Sequence, residues 1–255
     1  MLKADLAVIG GTGVYRADML ENVKEIDVET RYGKVNLLFG TYHGRKIVFL
    51  ARHGKRHSVP PHLVNYRANM QALKELEVKK IIATAAVGSL NEKMAPLDFV
   101  IIDQFIDFTK TRKSTFFEGR FEGVRHIDVT DPYCPKLRSF LFEKAVELGL
   151  KVQQGGCYVC MEGPRFETSA EIKMCKLLGG DLVGMTSVPE VVLAREAGIC
   201  YATIAMVTNY AAGMAPSVLS HSEVLEITKK LNNDISRLIM TALAEVSLEE
   251  NCDCC

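Results

Sequence analysis

The chain has 255 residues, 48% hydrophobic and 24% charged, enough for one large α/β core without a second domain. Lysine plus arginine and aspartate plus glutamate each number 31, so the formal net charge is zero and no basic field for nucleic acid is expected. Met1 leads straight into KADLAVIGG with no basic stretch and long apolar run, and no segment has the length of a membrane span, so a soluble, cytoplasmic protein without a membrane partner is expected.

In chain order, strands are predicted at 5–9, 35–40, 46–51, 80–86, 98–107, 151–161, 182–187 and 200–208. The second and third are separated by TYHGR and read as a hairpin. Helices are predicted at 61–77, 135–148, 167–178, 188–197 and 221–246. The first follows Pro60-Pro61 and aligns Leu63, Tyr66, Met70, Leu73 and Leu76 on one face. Ser220 is placed to cap the last, whose Val224, Leu225, Ile227, Leu231, Ile235, Leu238 and Ile239 form a core stripe. Strands and helices alternate, which implies a mixed or largely parallel β-sheet flanked by helices, with ligands outside the carboxyl ends of the strands. One domain is expected over 1–250, with 251–255 as a cysteine-rich tail. The long irregular segment 108–134 reads as a lid or a subunit contact.

The predicted strand ends carry polar and small residues. GGTGV (10–14) exposes backbone N–H groups and the Thr12 hydroxyl as an anion cradle, or is simply a tight turn. It fails as a dinucleotide fingerprint because Arg16 stands at the third glycine position, which disfavours a dinucleotide oxidoreductase. In ARHGKRHSVPPH (51–62), Arg52 and His53 suit a phosphate, Arg52 as a rigid fork and His53 as a single donor. His53, His57 and His62 are also a candidate metal trio, although Gly54 and Pro60-Pro61 break the helix they would need to share. ATAAVGSL (83–90) lets a ligand approach the backbone N–H of Ala86. In EGPRFET (162–168), Phe166 suits stacking on a flat ring, and Glu167 is either its cavity neighbour or an ordinary first-turn carboxylate. Met185 and Thr186 close the next strand with a thioether for a sugar and a hydroxyl for an anion. Asn209, in the buried-strand sequence VTNY, needs partners for two donors and an acceptor.

Of the 8 cysteines, Cys157 and Cys160 read as small core residues. Cys252, Cys254 and Cys255 crowd what reads as an exposed tail, where a disulfide, a soft metal or neither remains open.

Together, GGTGV, ARHG with His57, VNYxAN, GSL, IIDQFID, EGPRF, MTSVPEVVLAREAGICYA and the strand-end T-[DN]-Y resemble methylthioadenosine phosphorylase and its relatives among the trimeric purine nucleoside phosphorylases, from about residue 5 to 246. The resemblance implies a single-domain α/β nucleoside phosphorylase fold, a homotrimer, and transfer of a nucleoside's sugar to phosphate. It implies no cofactor, inorganic phosphate being a co-substrate. By resemblance, Thr12, Arg52, His53, the Ala86 N–H and Thr186 hold phosphate, Met185 lies at the ribose, and Phe166, Glu167 and Asn209 bound the base. Ala85 departs from the threonine usual in methylthioadenosine phosphorylases.

Two further departures bear on substrate. Adenine-type relatives have aspartate at the position of Asn209 and serine at that of Glu167, whereas 6-oxopurine phosphorylases have asparagine and glutamate. Hypoxanthine and guanine offer O6 as acceptor and N1–H as donor, which match an amide and a carboxylate. Adenine's bare N1 would face Glu167 lone pair to lone pair. SHSEVL (220–225) resembles the NHEEVL-type segment of the 6-oxopurine enzymes, which places His221 at the 5′-hydroxyl. His126 matches a histidine that relatives place near a neighbouring subunit's 5′ pocket. Inosine and guanosine phosphorolysis is therefore expected, with Asn209, Glu167 and His53 as catalytic residues. A 5′-methylthioinosine or 5′-methylthioadenosine phosphorylase, a nucleoside binder without turnover and a metal hydrolase on the three histidines are the rivals.

Overall fold

A computed structural model describes residues 2–11, 19–54, 57–119, 123–215, 219–248, 252 and 254. In chain order its elements are β1 (Leu6–Gly10), β2 (Glu21–Thr30), β3 (Gly33–Tyr42), β4 (Arg45–Ala51), a 3₁₀ turn (Pro61–Leu63), α1 (Tyr66–Glu75), β5 (Lys80–Ser89), β6 (Phe99–Ile101), β7 (Gln104–Phe108), α2 (Pro135–Glu147), β8 (Val152–Gln154), β9 (Cys157–Met161), α3 (Ser169–Leu177), β10 (Leu182–Gly184), α4 (Ser187–Ala197), β11 (Cys200–Tyr210) and α5 (His221–Glu245).

The strands form one mixed sheet, β2-β3-β4-β1-β5-β10-β9-β7, with β11 on the other edge of β5 followed by β6 and β8. Successive β1 residues face opposite sides: Ala7 and Ile9 join one apolar cluster with α1 and α4, and Leu6 and Val8 join the other with α2 and α5. The α/β class and mixed sheet flanked by helices are as the sequence implies.

The expected hairpin is present, tightened to the two residues His43 and Gly44, whose φ of 48° and 74° fit the twist of a short hairpin turn. β2 escaped the sequence reading because ENVKEIDVET buries no residue fully; its charged side chains line the edge of the sheet. The single strand expected at 98–107 is two, β6 pairing with β11 and β7 with β9. The one expected at 151–161 is also two, divided at Gly155-Gly156, where the Gly156 N–H donates to Asp103 Oδ1 at 2.9 Å. The first helix starts later than expected because Asn65 caps it, accepting from the Ala68 N–H. This leaves Leu63 outside the helix and 65% exposed. Ser220 caps α5 as expected, and Leu225 points outward instead of joining the core stripe. Segment 108–134 is no lid at its start: Arg112 and Phe116 are buried, and Thr115 and the Phe116 N–H bond to Glu196.

One irregularity of the sheet positions a site. β5 pairs with β1 over Lys80–Ala83 and, on the same edge, with β10 at Gly88 and Ser89. Residues 84–87 have no strand partner on that edge. On the opposite edge β11 runs alongside, with a bulge between Val207 and Asn209.

Candidate active site

At the gap in β5 opens a cavity of about 380 Å³. Its wall includes Arg52, His53, His57, Ala86, Phe166, Glu167, Met185, Thr186, Asn209 and His221. Residues far apart in sequence thus meet as the strand-end argument requires. Thr12 lies outside the described residues. His126 is exposed and is absent from this wall. His62 is absent from it too. The rings that do come together are His53 with His57 (4.4 Å between centroids) and His57 with His221 (6.0 Å), so the rival metal trio of His53, His57 and His62 is not assembled in this cavity. Among the described residues, only a group of four cysteines brings three or more such ligand atoms within 4.8 Å of one another.

Arg52 directly follows β4 and is buried. Its Nε and Nη2 donate to the two oxygens of Glu190 at 2.8 and 2.7 Å, and Nη1 donates to the Thr84 carbonyl at 2.9 Å. Two of the guanidinium's five N–H groups stay available. Burial alone would lower its pKa; the Glu190 carboxylate reverses this and holds Arg52 charged. The Tyr201 hydroxyl donates to the same carboxylate at 2.7 Å. Sequence reasoning missed Glu190. The signal was a lone acid inside the apolar run SVPEVVLA, which burial obliges to find a cation.

His53 Nδ1 lies 2.8 Å from the Val59 carbonyl, which can only accept, so Nδ1 carries the proton. Burial and the charge of Arg52 lower the ring's pKa to about 4. The neutral ring therefore presents Nε2 as a lone pair. The ring offers an acceptor at Nε2, where the sequence reading expected a donor.

Asn209 follows the bulge. Its Nδ2 donates to the Tyr210 carbonyl at 2.9 Å, which fixes the orientation of the amide. The Thr208 hydroxyl lies 2.8 Å from Oδ1 and 3.1 Å from the Val87 carbonyl. One N–H and one lone pair of the amide remain for a ligand.

Glu167, expected as the first residue of this helix, lies two residues before α3. Thr168 is the cap, in a reciprocal capping box with Glu171, and this frees Glu167 from helix duty. Its Oε1 is buried without a hydrogen-bond partner, and burial raises its pKa. Phe166 beside it is 39% exposed and lines the cavity.

Met185 and Thr186 follow β10. A side chain at Gly163 would begin 2.6 Å from Met185 Sδ, so only glycine, here at φ 68°, leaves the thioether in place. The Thr186 N–H donates to the Tyr158 hydroxyl at 3.0 Å, and its own hydroxyl makes no cap bond to α4. From below, buried Arg112 gathers this loop. Nη1 donates to the carbonyls of Met185 (2.6 Å) and Val188 (2.8 Å), and Nη2 to those of Met161 (3.1 Å) and Glu162 (2.7 Å). The sequence reading did not single out Arg112, since nothing in TKTRKS distinguishes it from its exposed basic neighbours.

A family model described as the phosphorylase superfamily matches residues 5–244, spanning every element that lines the cavity. The chain belongs to the phosphorylase superfamily. A probable 6-oxopurine nucleoside phosphorylase of Moorella thermoacetica is 57% identical over 249 residues, covering 98% of this chain and 96% of that protein. The 6-oxopurine nucleoside phosphorylase of Pyrococcus furiosus is 52% identical over 254 residues, with 98% and 95% covered. Among solved structures, methylthioadenosine phosphorylase from Schistosoma mansoni in complex with adenine superposes with a TM-score of 0.91 at 35% identity, covering 97% of this chain and 93% of that one. Family and fold are therefore those the sequence resembles. No described helix is long and apolar enough to cross a membrane.

Proposed function

We propose that this phosphorylase converts 6-oxopurine nucleosides, inosine and guanosine, and inorganic phosphate into free base and ribose 1-phosphate. The observation that carries this reading is the pair formed by Glu167 and Asn209. Glu167 holds a buried oxygen with no partner, and Asn209 an amide of fixed orientation with one N–H and one lone pair to spare. A 6-oxopurine satisfies both: N1–H donates to Glu167, the free Nδ2–H donates to O6, and Oδ1 accepts from N7–H of the departing base. Phe166 stacks on the ring.

Phosphate binds the two free N–H groups of Arg52, the Ala86 N–H, Thr186 and Thr12. His53 accepts the proton of its P–O–H group at Nε2. A phosphate oxygen bonds to C1′ as the C1′–N9 bond breaks, and the bonding pair leaves with the purine, which gains its N7 proton from solvent. The transition state resembles an oxocarbenium flanked by two anions, and preorganised dipoles favour it over the ground state. Met185 lies along the ribose, and His221, stacked beyond His57, takes the 5′-hydroxyl. The reading needs no side-chain nucleophile and no cofactor. It includes a cytoplasmic homotrimer in which exposed His126 serves a neighbouring chain's sugar pocket; light scattering tests the assembly.

A second reading, 5′-methylthioinosine as substrate, is favoured by Leu219 and Val224, apolar wall residues on either side of His221. The deciding experiment measures base release from inosine, guanosine, adenosine, methylthioadenosine and methylthioinosine, each with and without phosphate. Phosphate-dependent release from inosine and guanosine supports the proposal. Preference for methylthioinosine moves the assignment at His221, and preference for methylthioadenosine overturns the base reading. Binding of inosine without phosphate-dependent loss would make the protein a binder.

A further inference from the structure

The two described cysteines of the tail do not hang free as the sequence implied. Cys252 and Cys254 are half-buried and pack with Leu248 against the apolar cluster under α5. There they meet Cys134 and Cys200, both buried, and the four Sγ atoms all lie within 4.8 Å of one another. Cys252 is 3.4 Å from Cys134, Cys254 is 3.7 Å from Cys200, and the two tail sulfurs are 2.9 Å apart. Each tail sulfur thus touches both a scaffold sulfur and the other tail sulfur. The four surround one centre.

The scaffold half is held independently of the tail. Cys134 is the N-cap of α2, Cys200 opens β11, and the Cys134 N–H donates to the Tyr201 carbonyl at 2.9 Å. Cys134 Sγ also accepts the Leu137 N–H at 3.4 Å. That bond and the cap position fix where the Cys134 sulfur stands. A tetrahedral cation bound to sulfur at about 2.3 Å has sulfur–sulfur edges of roughly 3.8 Å, close to the 3.4 and 3.7 Å contacts between tail and scaffold, while the 2.9 Å tail pair opens on binding. An all-sulfur donor set selects a soft, tetrahedral cation.

We propose that Cys134, Cys200, Cys252 and Cys254 form a structural tetrathiolate site for a soft divalent cation of the Zn²⁺ class, clasping the C-terminal tail to the start of β11 and the N-terminus of α2. On binding, each thiol loses its proton to solvent and its sulfur lone pair forms a metal–sulfur bond, with no change of oxidation state. The clasp lies nine residues of strand, about 30 Å, from Asn209, so it acts on stability and leaves the chemistry of the cavity alone. It ties down the far end of α5, the helix that opens with His221.

The test uses the full chain, purified anaerobically with reductant and stripped of metal, then titrated with Co²⁺ and Zn²⁺. The expected result is one Co²⁺ per chain with thiolate-to-cobalt charge-transfer bands and the intense visible bands of tetrahedral cobalt. Zn²⁺ displaces it and raises Tm by about 5 °C or more. Cys252→Ser with Cys254→Ser, both at half-buried positions, abolishes binding and the Tm gain while purine release well below Tm is unchanged. A reduced wild-type chain that binds neither ion, or binds them equally well in the double variant, overturns the proposal. So does anaerobically prepared protein whose mass and thiol count show these four sulfurs paired as two disulfides.

Discussion

Arg52 and Glu190 meet through two hydrogen bonds of 2.7 and 2.8 Å with side chains 1% and 0% exposed, an ion pair almost wholly removed from water. Removing one partner strands the other's charge. Glu190→Ala is expected to cost about 3–5 kcal/mol of stability in urea unfolding, and to raise the KM for phosphate as Arg52 loses its orientation. The double variant Arg52→Met, Glu190→Leu recovers much of the stability but not phosphate use. A single variant as stable as wild type would show that the pair does not hold the site.

Asn209→Asp replaces the amide N–H aimed at O6 with a second acceptor. Inosine turnover is expected to fall relative to adenosine by on the order of 10² or more. Measuring kcat/KM for both nucleosides checks this, and an unchanged ratio refutes the base-reading geometry.

Burial raises the pKa of Glu167, so its protonated form becomes accessible closer to neutrality than for an exposed glutamate. Ionised, it accepts N1–H of a 6-oxopurine; protonated, it donates to adenine's N1. The preference for inosine over adenosine should be greatest above this pKa and narrow as pH falls through it. Glu167→Gln, which does not titrate, should flatten that pH dependence.

His53 has its pKa lowered to about 4 by burial and by Arg52, against about 6.5 when unfolded. Below the unfolded value the unfolded chain binds the extra proton and the folded one does not. Stability should therefore be lost as pH falls from about 6.5 to about 4, with no further loss from this group below that. His53→Asn, which keeps a donor for the Val59 carbonyl, should remove this part of the acid sensitivity and raise the KM for phosphate.

Arg112 holds four carbonyls with one planar group, which a lysine ammonium cannot reproduce. Arg112→Lys should lower kcat about 10–100-fold by loosening Met185 and Thr186, with a smaller effect on KM. Loss of stability alone, with kcat intact, would make Arg112 merely structural.

Much of this was legible in the sequence because strand ends in an α/β fold are readable. Arg52, Ala86, Thr186 and Asn209 each sit where a β-branched or apolar run gives way to polar or small residues, and each lines the cavity. The partners of Glu190 and of the tail cysteines, and the carbonyls that give Arg112 its role, were not legible, because they lie far away in the chain. Glu190 lies 138 positions from Arg52, and Cys252 lies 118 from Cys134. The donor role expected of His53 failed for a local reason: its proton is already committed to Val59, six residues away. β2 shows that an exposed edge strand carries no apolar alternation to find.

The gap in β5 has a thermodynamic consequence. The wall around it is drawn from the loop after β4, from β5, the loop before α3, the loop after β10, the end of β11 and the start of α5. No subset of these segments makes the pocket, so ligand affinity belongs to the complete fold and to nothing less. Phosphate and nucleoside then act as stabilisers of the whole chain: at 100 times its Kd, a ligand adds about 2.7 kcal/mol to the unfolding free energy. Substrate supply in the cell would set the lifetime of the enzyme as well as its rate.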